Sequence, residues 1–313
     1  MNDKIEQAKT IELTGHYPVM LNETLKILDI RENKTYLDCT FGGGGHSKAI
    51  LDSANCKLVA IDQDPRAFDT AKLFKEVYKE RFNFHSLNFS DLDETNRAYA
   101  GILMDLGVSS FQLDIAERGF SFMRDGQTDM RMDTRSERSA LDILENASYE
   151  YIEEILRVYG QEPRSRQVAR AIVDARGTGK LERTGTLAEL IGEHSSWDKG
   201  RKKHPATRAF QAIRIATNDE IGVLERALPK AFEALESGGI LAIITFHSLE
   251  DRIVKRFFKS MAGVAIDRRD NSYSQDRIKQ ADILTRKAIT ASQEELEQNK
   301  RSRSARLRAI RKL

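Results

Sequence analysis

The stretch Tyr36-Leu-Asp-Cys-Thr-Phe-Gly-Gly-Gly-Gly-His46 constrains this chain more than any other. Thr35 to Asp38 is short, β-prone and partly apolar, the pattern of a buried first strand. Gly42 to Gly45 follow at once, and His46-Ser-Lys-Ala-Ile-Leu51 opens a helix. Strand, glycine turn and helix N-terminus together let backbone approach a ligand, because a Cβ would push it away and some of these turns need φ > 0. The next apolar run, Lys57-Leu-Val-Ala-Ile-Asp62, ends in a carboxylate twenty positions after Gly42. A βαβ nucleotide site presents an acid to ribose hydroxyls at that place.

The dinucleotide fingerprint does not complete. Counted from Gly42 and Gly44, its third glycine falls on Ser47; counted from Gly43 and Gly45, on Lys48. Asp38 at the strand end, with glycines behind it, is similar instead to the first motif of S-adenosylmethionine-dependent methyltransferases. The chemistry differs accordingly. A dinucleotide needs a helix N-terminus aimed at a pyrophosphate, whereas S-adenosylmethionine carries a sulfonium, an ammonium and a carboxylate. A methyltransferase is therefore expected ahead of a dehydrogenase.

At 313 residues and 40% hydrophobic, the chain suffices for one large or two ordinary domains. Its net charge of +2 hides an uneven distribution. Lys300, Arg301, Arg303, Arg306, Arg308, Arg311 and Lys312 crowd the end without an acid, and Lys199-Gly-Arg-Lys-Lys-His204 forms a second basic run. Such runs suit a phosphate backbone or are simply solvated. Two cysteines, Cys39 and Cys56, point to a reducing compartment. The first residues hold no signal-peptide core, and no apolar run reaches the roughly 18 residues of a membrane span. A cytoplasmic protein with no membrane partner is expected.

Further strands are expected at Arg81 to Leu87, Gly101 to Leu106 and Gly238 to Phe246, with helices over Asn22 to Leu28 and Pro65 to Tyr78. Alternating strands and helices imply an α/β, doubly wound, Rossmann-like sheet. Over a hundred mostly non-strand residues separate the fourth and fifth strands. Helical spacing marks Ala140 to Asn146, Tyr149 to Tyr159, Ser165 to Arg176, Thr186 to His194 and Ala206 to Leu228. An all-helical domain inserted into the sheet is the economical reading. The expected borders are 1–113 and 217–313 for the two parts of the cofactor domain and 114–216 for the insertion. Asp282 to Ile289 and Ser304 to Ile310 are expected as an antiparallel edge pair.

Asp105 ends the fourth strand, where the reacting group of a substrate meets the cofactor in such a fold. Its carboxylate can accept a hydrogen bond from an amine, or cap the following turn. Phe246-His-Ser-Leu-Glu-Asp-Arg252 sets an imidazole, a hydroxyl and two carboxylates after the fifth strand. Ser248 with Asp251 spells a capping-box variant, so Ser248 is expected as a cap. His247 is either a structural histidine or a substrate contact. Asp38 holds the cofactor's ammonium or only orders the glycine turn. His46 is expected at the cofactor. The six histidines are scattered without metal-ligand spacing, so no metal is expected.

The longer motifs are specific. They are His16-Tyr-Pro-Val, Asp38-Cys-Thr-Phe-Gly-Gly-Gly-Gly-His-Ser47, Asp105-Leu-Gly-Val-Ser-Ser110 and Glu117-Arg-Gly-Phe-Ser-Phe-Met-Arg-Asp-Gly126. To these add Asp129-Met-Arg-Met-Asp133, His204-Pro-Ala-Thr-Arg-Ala-Phe-Gln-Ala-Ile-Arg214, Phe246-His-Ser-Leu-Glu-Asp-Arg-Ile-Val-Lys-Arg256 and Arg301-Ser-Arg-Ser-Ala305. Through them the chain resembles, from His16 to about Arg308, the ribosomal RNA small subunit methyltransferase H family. The resemblance implies a class I methyltransferase that uses S-adenosylmethionine to methylate N4 of a cytidine in the decoding (P-site) region of 16S rRNA. The partner it implies is 16S rRNA in the small ribosomal subunit; a homodimer stays open. By motif, its cofactor contacts fall on Gly44, Gly45, His46, Asp62, Phe89, Asp105 and Gln112, beside Asp38 and Gly42 of the turn. Phe89 would pack on the adenine. Cys39 stands where many members have glycine, and Lys300 where proline is common; neither is a proposed contact.

Methylation at C5 of a cytosine would need a cysteine nucleophile, and the two cysteines lie in the first strand's turn and just before the second strand, not beyond the fourth. Transfer to N4 needs in-line approach of the amine and a partner for its proton. Asp105 is the first candidate for that partner, with His247 as a second candidate catalytic residue. The Asp-Pro-Pro-Tyr motif of many amino-methyltransferases is replaced by Asp105-Leu-Gly-Val. Arg118, Arg131, Arg164, Arg208, Arg214, Lys202, Lys203 and the basic tail are candidates for rRNA phosphates, and some of them for salt bridges. The alternatives are a DNA or small-molecule amino-methyltransferase, and an rRNA-binding assembly protein with a vestigial cofactor site.

Overall fold

A computed structural model of the chain describes residues 17–95, 98–195, 204–266 and 278–313. His16 and the basic residues Lys199 to Lys203 lie outside the described residues. Two compact units emerge: one runs to Gly107 and resumes over Gly222–Leu313, the other is Val108–Ile221.

The first unit is built on a seven-stranded sheet. In chain order the strands are β1 (Thr35–Asp38), β2 (Lys57–Ile61), β3 (Phe82–His85), β4 (Tyr99–Asp105), β5 (Leu235–Thr245), β6 (Ala281–Ile283) and β7 (Arg306–Lys312). Their spatial order is β3-β2-β1-β4-β5-β7-β6. The first five run parallel, and β7 is antiparallel to both β5 and β6. β5 shows why the sheet is covered on both faces. Ile240, Ala242 and Ile244 enter one apolar cluster, with Tyr36, Ile50 and Phe74; Leu241 and Ile243 enter another, with Ile61, Leu224 and Leu228. Successive side chains point to opposite faces, so a strand apolar at every position must be buried twice. The strand order reverses between β1 and β4, which opens a crevice beyond their C-terminal ends.

Several limits differ from the expectations. β3 is shorter, ending at His85, where the Leu87 N–H turns back to the His85 carbonyl at 3.1 Å, and β5 begins earlier, at Leu235. The expected edge pair forms, with β6 reduced to three residues and β7 lying between β5 and β6. The helix expected over Ala206 to Leu228 is two helices, Thr207–Asn218 and Glu220–Glu233. Asp219 breaks them with φ 47°, a left-handed helix end that Asp tolerates better than most residues. Asn218 fixes the break. Its amide donates to the Met130 carbonyl at 2.7 Å and its oxygen accepts from the Met132 N–H at 2.7 Å.

The unit Val108–Ile221 is helical. Ala140–Asn146, Tyr149–Val158, Ser165–Asp174, Thr184–His194 and Thr207–Asn218 enclose an apolar core that includes Leu144, Leu156, Ile172, Ile191 and Ile213. Among the described residues, no helix is long and apolar enough to cross a membrane.

Candidate cofactor site and its electrostatics

The turn after β1 is held by its own side chains. Asp38, 1% exposed, accepts from the Ser47 hydroxyl at 2.7 Å and from the Thr40 N–H at 3.1 Å. Thr40 Oγ1 in turn accepts from the Asp105 N–H at 2.8 Å, which ties the turn to the end of β4. Asp62, just past β2, accepts from the Gly42 N–H at 2.7 Å through one oxygen and from the Asp64 N–H at 2.8 Å through the other. Asp38 and Asp62 thus organise the glycine turn from either side.

Two of the glycines are also required by packing. Gly44 has φ +79°, and a Cβ there would lie 2.5 Å from the Phe74 ring. At Gly45 a Cβ would lie 2.4 Å from Pro18. The protein's own packing already demands glycine at both positions.

The charges around this turn are unbalanced. Burial first, then the charges of Asp38 and Glu250, hold the Asp105 carboxyl well above the ordinary aspartate range. Burial likewise raises Asp62 to about 6, although the Asp64 and Gly42 N–H groups favour its charged form. Asp38 is raised, by burial foremost, and burial lowers the His46 imidazole in spite of the nearby Asp38 charge. His46 Nε2 lies 3.0 Å from the Val19 carbonyl, which assigns the ring proton to Nε2 and leaves Nδ1 as an acceptor. That Nδ1 lies 3.7 Å from Asp105 Oδ2. Asp105 Oδ1 is buried without a partner. These carboxyls would repel the pyrophosphate of a dinucleotide and attract a sulfonium or an ammonium. The residues therefore fit S-adenosylmethionine, and a dinucleotide fits poorly.

Two further expected contacts have partners of their own. Phe89 is half-buried against the apolar cluster containing Leu92 and Ile61. Gln112 belongs to the unit Val108–Ile221, where its side chain accepts from the Ser109 N–H at 2.9 Å and closes a capping box. His247, not Ser248, is the N-cap of the helix Ser248–Met261. Its Nδ1 accepts from the Glu250 N–H at 3.5 Å, while Glu250 accepts from the N–H groups of Phe246 and His247 at 2.8 and 3.3 Å. His247 Nε2 lies 3.0 Å from Glu250 Oε1, outside the alignment of a hydrogen bond. Asp251 turns instead to Arg308 at 2.7 Å and Arg306 at 3.1 Å. Glu250, Thr40 and Ser47 support the site and were missed by residue-type reasoning. The spacing of His247 and Glu250, three apart at a helix start, was the available signal for the first.

The arginines expected to meet rRNA are largely engaged within the protein. Arg118, 5% exposed, donates to the carbonyls of Arg131 and Met132 at 2.8 and 2.9 Å. Arg131 pairs with Asp129 at 2.6 Å, and Arg214 grips Glu220 with two bonds of 2.7 Å. Arg164 and Arg208 reach the Ser195 and Gln161 carbonyls. In the basic tail, Arg306 and Arg308 hold Asp251, and Lys312 caps the carbonyls of Phe232, Glu233 and Leu235.

A family model described as the MraW methylase family matches residues 13–313. The ribosomal RNA small subunit methyltransferase H of Rickettsia akari is 44% identical over 308 residues, covering 96% of this chain and 99% of its own length. The protein of the same name from Rickettsia canadensis is 45% identical over 302 residues, covering 94% and 97%. A solved rRNA methylase from Streptococcus thermophilus aligns over 94% of this chain and 93% of its own at 12% identity, with a TM-score of 0.40.

Proposed function

Since the chain belongs to the MraW methylase family, we propose that it is an S-adenosylmethionine-dependent methyltransferase of small-subunit ribosomal RNA that modifies N4 of a cytidine in the decoding region of 16S rRNA. The observation that carries this reading is the crevice between β1 and β4. Its rim holds Asp38, Asp62 and Asp105, and Asp105 has one buried oxygen without a partner. Bound there, S-adenosylmethionine supplies an activated methyl group and a positive charge.

The chain's own residues do the rest. Asp62 and Asp38 hold the turn against which the donor lies. A cation beside Asp105 lowers its pKa, so its carboxylate forms in the loaded site. The methyl that the donor would supply goes to an amine lone pair, and Asp105 is the group placed to take that amine's surplus proton. His46 Nδ1, an acceptor 3.7 Å from Asp105 Oδ2, faces that oxygen once Asp105 carries the proton. Neither cysteine supports C5 chemistry. Both are free and buried, and burial raises both thiols, Cys39 well above its ordinary value.

Mass mapping of methylated nucleotides in small-subunit rRNA, from cells with and without this gene, tests the proposal. Loss of one N4-methyl mark from a decoding-region cytidine is expected. An unchanged methylation map would reject it.

A further inference from the structure

The engaged arginines leave a question: which surface of the unit Val108–Ile221 grips a nucleic acid? Beside the helix Ser165–Asp174 lies an open cavity of about 350 Å³. Tyr149, Arg166, Gln167, Arg170, Asp174 and His194 line it. Arg166 and Arg170 are one turn apart on the same helix face, both exposed. The Arg170 guanidinium lies over the Tyr149 ring, 4.9 Å from its centroid. Among the described residues, no carboxylate pairs with either guanidinium. Two like charges at this spacing disfavour a helix slightly, so the pair is not explained by the fold. The five arginines discussed above have internal acceptors; these two do not.

We infer that this cavity is an RNA contact in which Arg166 and Arg170 hold a backbone phosphate and Tyr149 with His194 faces the sugar and base of an unpaired nucleotide. The chemistry is specific to that partner. A guanidinium fork matches phosphate oxygens, and an aromatic ring already braced by arginine is a stacking platform for a base. A volume of 350 Å³ lies at the small end of ligand sites, the size for one nucleotide rather than a duplex. The inference rests on the proposed rRNA substrate and adds where the inserted unit touches it.

The test uses the full-length protein and a fluorescent single-stranded RNA oligomer, with anisotropy read across a salt series. Arg166→Gln with Arg170→Gln should weaken binding by about tenfold at low salt and reduce the salt slope by about 0.7, one single-strand phosphate contact. Tyr149→Ala should weaken it by about fivefold, and Tyr149→Phe should not, since the ring face is kept. S-adenosylmethionine binding by calorimetry should be unchanged in every variant, which controls for folding. A double variant with wild-type affinity and slope would overturn the site while leaving the methyltransferase reading intact. A wild-type protein that neither binds nor methylates rRNA would overturn both. Displacement of the RNA by polyglutamate as readily as by unlabelled RNA would show an acidic-protein surface instead, and also overturn the inference.

Discussion

The acids at the strand ends of the sheet unit are held in the opposite way to the paired acids of the helical unit. In Val108–Ile221, acids sit beside nearby arginines: Asp129 with Arg131, Asp133 with Arg135, Asp125 with Arg183. Asp125 and Asp133 are held below the ordinary aspartate range, Asp125 by the Gly185 N–H and Arg183, Asp133 by Arg135 in spite of its burial. At the strand ends of the sheet unit, Asp38, Asp62 and Asp105 are raised by burial. The difference separates structure from function. A paired acid fastens a loop. A buried acid without a cation is a standing cost that a cationic ligand relieves.

The largest effect expected from this contrast is on catalysis. Asp105→Ala should lower methyl transfer by about 10²- to 10⁴-fold, the usual weight of a proton-accepting group, in a methyl-incorporation assay. Asp133→Ala, which breaks only a partly exposed pair, should leave activity within about twofold. Equal losses would erase the distinction between the two kinds of acid.

Next comes the interior of the helical unit. Arg214 and Glu220 are 16% and 10% exposed at their side chains, so Arg214→Leu strands a mostly buried carboxylate. It should destabilise the protein by about 3 kcal/mol in urea unfolding while leaving RNA affinity nearly unchanged. A large RNA defect in folded protein would return Arg214 to the interface.

A third comparison uses glycines with left-handed backbone in each unit. Gly44→Ala combines φ +79° with a Cβ 2.5 Å from Phe74, and should cost about 2–3 kcal/mol in urea unfolding. Gly177→Ala has φ +66° but open space around the Cβ, and should cost only about 1 kcal/mol.

The smallest effect is the pH dependence, and its sign differs between the two kinds of acid. Asp62 has a folded pKa of about 6 against 3.8 for the free side chain, so the folded chain keeps that proton longer. Its contribution is therefore favourable near pH 4 and is lost as pH rises toward 6, by about 2 kcal/mol after allowing for its partial exposure. Asp133 is lowered, so its stabilisation is present above pH 4 and is lost as pH falls. Asp62→Asn should flatten the loss on the rising side in ligand-free thermal melts from pH 4 to 7. An unchanged profile would remove Asp62 from the set of uncompensated acids.

Much of the sheet unit was legible in the sequence because its signals are local. Apolar runs, the glycine cluster and acids at strand ends are each read within a few residues. What escaped was decided at a distance. Ser248 to Asp251 and His247 to Glu250 carry the same capping spacing. Arg308, 57 residues further on, draws Asp251 away and so settles the choice. The break at Asp219 depends on Asn218 reaching the Met130 carbonyl, 88 residues back. For the arginines, a tally of charge could not show which had internal acceptors. The spacing Asp129-x-Arg131 and Asp133-x-Arg135 was the only local hint. The glycines were rightly singled out, but the ring and proline that require two of them come from Phe74 and Pro18.

The central claim is that the acids flanking the glycine turn receive a cationic donor. Titration calorimetry of S-adenosylmethionine into the wild-type protein and Asp62→Ala, near pH 6 in two buffers of different ionisation heat, addresses it directly. The account predicts saturable binding accompanied by proton release, with affinity reduced about tenfold in the variant. Binding of equal strength in both proteins, with no protons released, would contradict it.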